Sequence, residues 1–102
     1  MAIIVFSAIG SINCQSSCEM HVWRGSFANS AGNYDKAITE YTKAIEICPD
    51  DVIAYSLRAD VYQQTGKYNL AKADLLKVIE LSEEPALTRN AERRLNALIE
   101  RQ

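Results

Sequence analysis

From Met20 onward, apolar residues recur every three or four positions almost without a break. That is the spacing of helices with one buried face. The first predicted helix runs from Met20 to Ala31, with Met20, Phe27, Ala28 and Ala31 along one side. Gly32 ends it, since glycine tolerates the left-handed backbone on which many helices close. The second starts at Tyr34 or Asp35 and buries Ala37, Tyr41, Ala44, Ile45 and Ile47. Pro49 stops that helix, and Asp50 or Asp51 is placed to cap the next. A third helix over Val52 to Gln64 carries Ala54, Leu57, Val61 and Tyr62, and Gly66 closes it. The fourth, Tyr68 to Leu81, presents Ala71, Leu75, Val78, Ile79 and Leu81. Ser82-Glu83-Glu84-Pro85 breaks the pattern, and a fifth helix runs from Pro85 towards Arg101 with a narrow stripe of Leu87, Ala91, Leu95, Leu98 and Ile99. No alternating segment of strand length follows residue 18. The short connections make successive helices antiparallel neighbours, so the fold class is all-α.

The pattern also repeats. Gly32-Asn33-Tyr34-Asp35-Lys36-Ala37 returns as Gly66-Lys67-Tyr68-Asn69-Leu70-Ala71, 34 residues later. Lys43, Ile45 and Glu46 return as Lys77, Ile79 and Glu80, and Arg24-Gly25 as Arg58-Ala59. A fixed period of this size means one helix–turn–helix unit used twice. The predicted organisation is an N-terminal segment over 1–17, units over 18–51 and 52–84, and a capping helix over 85–102. A helix apolar on one side only suits the end of a stack.

At these residues the chain resembles the tetratricopeptide repeat family. The first unit offers Gly25, Gly32, Tyr34, Ala37, Tyr41, Ala44 and Pro49, and the second Ala59, Tyr62, Gly66, Tyr68, Ala71, Leu75 and Val78. The small residues sit where helices must approach closely, and the tyrosines can bury a ring while the hydroxyl finds a partner. The chain departs from the family pattern at His21, Ala28, Val78 and Glu83, which leaves the first unit the less regular. The resemblance implies stacked hairpins in a right-handed superhelix and a C-terminal solvating helix. It further implies a non-catalytic adaptor or scaffold that binds a protein or peptide in a groove formed by the first helix of each unit. Matched onto this chain, the groove candidates are Glu19, Val22, Trp23, Ser26, Asn29 and Ser30, then Ile53, Ser56, Leu57, Asp60, Gln63 and Gln64. Some relatives clamp a C-terminal carboxylate with Lys, Arg and Asn on this face. Lys and Arg are missing from these positions here. An extended peptide with apolar or basic side chains is the expected ligand.

Within that groove Trp23 has two readings: an aromatic anchor for a partner, or a ring covered by the apolar N-terminal segment. Arg24 and Arg58 recur in register with Glu40 and Asp74, and scaffold salt bridges are the expected use.

The remaining features narrow the function. The net charge of -2, with Glu and Lys interspersed, argues against a phosphate-backbone binder, so no nucleic-acid partner is expected. No apolar run approaches the ~20 residues of a membrane span. No nucleophile–base set, phosphate loop or metal motif is visible, so no catalytic residue, cofactor or metal is assigned and the chain is read as not an enzyme. Cys14, Cys18 and His21 have a spacing that suggests zinc only weakly, since a structural site wants four ligands. Three cysteines make no disulfide framework, and a reducing, cytoplasmic setting is expected. The apolar stretch from Ala2 to Ile9 keeps an exported, Cys-containing module as the alternative. A second alternative is a structural one: two units fall short of the roughly three that a stable stack needs. The chain would then be part of a longer array, or a homo-oligomer formed through the open face of its first unit.

Overall fold

A computed structural model describes residues 2–101, and the side chains of residues 16–100. Among these residues five helices follow one another: α1 (Ala2–Ser30), α2 (Tyr34–Ile47), α3 (Val52–Gln64), α4 (Tyr68–Leu81) and α5 (Pro85–Arg101). No strand occurs among the described residues. The starts and stops follow from the sequence. At the end of α1, Asn33 N–H donates to the Ala28 carbonyl at 2.8 Å and Gly32 N–H to that of Asn29 at 3.0 Å. The end of α3 repeats this pair, Lys67 to Tyr62 at 2.8 Å and Gly66 to Gln63 at 3.3 Å. Both are Schellman closures, and each puts its glycine at positive φ, +80° for Gly32 and +78° for Gly66. At α3, Asp51 Oδ1 accepts from Ile53 N–H at 3.1 Å and Ala54 N–H at 3.2 Å, satisfying two amides of the first turn.

Each helix packs on its neighbours in sequence, with α1 also touching α3. Two cores result. Ala28, Ala37, Tyr41 and Val61 are buried between α1, α2 and α3. Tyr55, Ala59, Ala71, Leu75, Val78, Ala91 and Leu98 are buried between α3, α4 and α5. The closest approach lies in the first core. A Cβ at Gly25 would sit 2.6 Å from Tyr41 Cε1 and 2.7 Å from Cδ1, so α1 and α2 meet where one of them has no side chain.

Polar pairs fasten the hairpins beside these cores. Arg58 holds Asp74 through two hydrogen bonds, Nε to Oδ2 at 2.8 Å and Nη2 to Oδ1 at 2.7 Å. This two-pronged geometry is among the stronger protein ion pairs. In the first hairpin the expected Arg24–Glu40 pair is replaced. His21 Nδ1 donates to Glu40 Oε1 at 2.7 Å, while Arg24 is exposed. The His21 hydrogen bond is the main reason Glu40 stays ionised below its ordinary 4.5, and Lys43, His21 and Arg24 add charge attraction that works against burial.

Three further points correct the sequence reading. α1 starts at Ala2 rather than Met20, and runs as one helix through the 17/18 boundary. Of the stripe Met20, Phe27, Ala28 and Ala31, only Ala28 is buried, and Ile47 of the expected α2 face is also exposed. Cys18 and Cys48 are joined by a disulfide with Cα atoms 6.2 Å apart. Residues 18 and 48 each lie fifteen positions from Asn33, so an antiparallel hairpin pivoting there brings them level. An odd cysteine count excludes a full framework but not one bond. Closing a loop of this length stabilises a fold by about 2–4 kcal/mol.

Two outcomes are expected. Gly25→Ala should lower stability in urea unfolding by about 1–3 kcal/mol, because the ring it meets is buried and cannot swing away; an unchanged midpoint would mean that the ring does not close over residue 25. Glu40 contributes its charge-dependent stability fully above pH 4.5 and loses it as pH falls through the lowered folded value. Glu40→Gln should therefore unfold more easily than the parent at pH 7, with the gap shrinking as pH is lowered below 4.5. A gap that stays constant over this range would show that the carboxylate charge is not what stabilises the pair.

Candidate functional site

A concavity of about 630 Å³ opens between α1 and the start of α3. α1 supplies Cys18, Glu19, Val22, Trp23 and Ser26, and the α2–α3 connection with the first turn of α3 supplies Cys48, Asp50, Asp51, Val52 and Ile53. The Cys18–Cys48 bond ties these two sides together. Trp23 is 69% exposed and Ile53 52% exposed, so two large apolar side chains stand in water at the cavity edge. The continuous course of α1 takes the N-terminal segment along the helix axis, and Trp23 is not covered by it.

Glu19, Val22, Trp23, Ser26 and Ile53 of the predicted set line this cavity. Asn29, Ser30, Ser56, Leu57, Asp60, Gln63 and Gln64 lie outside it. Leu57 packs against the first core. Ser30 and Gln64 are exposed; Asn29 and Gln63 are half-buried, and the Asn29 Oδ1 atom has no hydrogen-bond partner. Ser26 turns its hydroxyl onto the Tyr41 hydroxyl at 3.1 Å. Burial pushes the Tyr41 phenol above its ordinary 10, although the Ser26 bond pulls the other way, so this contact is one between neutral hydroxyls near pH 7.

Ser56 and Asp60 are occupied from an unexpected direction. Arg94 of α5 pairs with Asp60 Oδ1 through Nη2 and reaches Ser56 Oγ through Nη1 at 3.5 Å. Arg94 stands 34 positions after Asp60, as Asp60 stands 34 after Ser26, so α5 continues the line of first helices. That spacing was the available signal for Arg94. The other residues missed by sequence reasoning, Cys18, Cys48, Asp50, Asp51 and Val52, come from the helix connection and from residues facing it.

The cavity is electrostatically one-sided. Glu19 and Asp50 present exposed carboxylates, Asp51 is engaged by the amides of α3, and no Lys or Arg lines the cavity. With Cys18 bonded to Cys48 and His21 on Glu40, the suggested zinc spacing is not assembled. No group of three or more His, Cys, Asp or Glu side chains converges as a metal site among the described residues. No helix among them is long and apolar enough to cross a membrane.

Comparison with known proteins matches the sequence of this chain to one family. A model described as TPR repeat covers residues 29–66, and one described as tetratricopeptide repeat covers 52–85. The DnaJ homolog subfamily C member 3 of Bos taurus is 40% identical over 63 residues, which is 62% of this chain and 12% of that protein. Its counterpart in Homo sapiens is 38% identical over the same length, with the same two shares. Tetratricopeptide repeat protein 36 of Caenorhabditis elegans is 40% identical over 48 residues, 47% of this chain and 27% of the relative. The chain thus spans about one eighth of the DnaJ relatives it matches.

Proposed function

The chain belongs to the tetratricopeptide repeat family, and on that premise we propose that it is a non-catalytic protein–protein interaction module whose groove seats an extended peptide with apolar and basic side chains. The observation that carries this reading is the pair Trp23 and Ile53, exposed on opposite walls of one cavity. Large apolar groups left in water around a concavity are what a buried ligand side chain uses, and tryptophan is prominent among binding hot spots. The disulfide at the junction of the walls limits their relative motion, so less freedom is lost on binding. Glu19 and Asp50 favour cationic residues beside the apolar one. Arg94, the cation that α5 brings to the neighbouring groove positions, is already held by Asp60, which argues against a clamp for an acidic C-terminus.

Fluorescence polarisation with a labelled peptide alternating Leu and Lys or Arg should show saturable binding. Trp23→Ala and Ile53→Asp should each weaken it by about thirtyfold, the effect of losing a hot-spot contact. Preference for acidic C-terminal peptides, or indifference to both substitutions, would reject the reading.

For the compartment, the Cys18–Cys48 bond supports the exported alternative over a reducing cytoplasm, where glutathione and thioredoxin keep thiols reduced. Alkylation of protein trapped in acid directly from cells should reveal two additional thiols on reduction; the same thiol count before and after would favour the cytoplasm.

A further inference from the structure

The internal repeat shows what lies against the outer face of a first helix. A shift of 34 residues carries Trp23, Arg24 and Phe27 onto Leu57, Arg58 and Val61. Val61 is fully buried, and Leu57 packs beside it, in the core that α2 builds with Ala37, Ile38 and Tyr41. Arg58 Nη1 donates to Thr42 Oγ1 of α2 at 3.1 Å. One face of α3 is therefore closed by a helix, with two apolar side chains under it and an arginine bonded to its flank.

On α1 the same positions carry larger apolar groups with nothing over them among the described residues. Trp23 and Phe27 are each 69% exposed, with ring centroids 6.1 Å apart, and Met20 is 51% exposed one turn earlier. A second concavity of about 210 Å³ lies between these rings and the start of α2, with Arg24 and Lys36 as exposed cations on it. Glu40, the acid that corresponds to Asp74, is taken by His21, so Arg24 is turned outward.

We propose that this face docks an amphipathic α-helix with acidic flanks, laid on Trp23 and Phe27 as α2 lies on Leu57 and Val61. Arg24 then reaches an oxygen on the incoming helix, as Arg58 reaches Thr42. The geometry selects a helix because Met20, Trp23 and Phe27 form a single ridge of about 10 Å along α1, the kind that fits between the side-chain rows of another helix. The two cations select acidic flanks. They also disfavour a second copy docking through α5, which carries four arginines against two glutamates. This surface is distinct from the groove: Phe27 lies only here and Ile53 only there, while Trp23 borders both.

The probe is a hydrocarbon-stapled peptide of the α2 sequence, Tyr34–Ile47, bearing Lys36→Glu and Lys43→Glu. It contains no tryptophan, so the emission of Trp23, the only tryptophan of the chain, reports its docking. Saturable binding with a blue shift is expected. Phe27→Asp and Met20→Asp, both at exposed positions, should weaken it by about tenfold or more, and Arg24→Glu by about fivefold, while Ile53→Asp leaves it unchanged. Circular dichroism confirms that each variant keeps its helices. The proposal is overturned if the peptide gives no shift, if a scrambled unstapled peptide binds as well, or if binding survives Phe27→Asp. Loss in Ile53→Asp would also overturn it, by assigning the peptide to the groove. So would sedimentation showing a dimer of the chain that Phe27→Asp converts to monomer.

Discussion

The architecture depends on one close approach, the ring of Tyr41 lying over the bare backbone of Gly25. With any side chain at that position the first hairpin would have to spread. Because the hairpin closes there, the ring is buried on both sides. Ser26 meets its hydroxyl on one side, and Val61 joins the same core on the other. The contact that closes one unit thus forms part of the surface on which the next unit docks. One repeat later, Gly25 and Tyr41 become Ala59 and Leu75, both fully buried in the second core. The methyl gained on one helix is matched by the smaller side chain on the other. Packing at constant volume keeps two differently composed hairpins in one register.

Much of this was legible in the sequence because it depends on local chemistry. The glycines at 32 and 66, the aspartate at 51 and the prolines at 49 and 85 fix where helices stop and start, and α2 to α5 have the expected bounds. Alanine positions marked the helix crossings, and Ala37, Ala44, Ala59 and Ala71 are all fully buried. The Arg58–Asp74 pair was legible through recurrence.

What escaped notice depends on position across the hairpin rather than along the chain. Arg24–Glu40 was expected by analogy with Arg58–Asp74, but His21 takes the place that Tyr55 has in the second unit and reaches the acid first. The disulfide required counting outward from Asn33, not noting spacings between neighbouring cysteines. Within the candidate groove, Glu19, Val22, Trp23 and Ser26 of α1 gather around the cavity with Ile53, whereas Leu57 joins the core and Ser56 and Asp60 take Arg94. A capping helix in the same period as the units sends Arg94 to the groove positions Ser56 and Asp60, and reading α5 as a separate element concealed this. The apolar run before Met20 reads as a separate segment in the sequence, whereas α1 is one helix over Ala2–Ser30.

The His21 substitution has consequences beyond one ion pair. In the second unit a single arginine serves two roles, holding the acid of its own hairpin and touching the preceding helix. In the first unit these roles are divided, with His21 on Glu40 and Arg24 at the surface. Charge is consequently sorted around Trp23. Carboxylates of Glu19 and Asp50 lie on its groove side, and the cations Arg24 and Lys36 lie on its outer side. A chain of net charge -2 can therefore present surfaces of opposite sign on the two sides of one tryptophan. Charges at a rim act mainly on encounter and on rejecting wrong partners, while the buried apolar contact supplies affinity. On the proposed reading, one exposed tryptophan between two such rims would offer the same apolar ring to ligands of opposite charge, with the flanking side chains selecting which of them reaches each face.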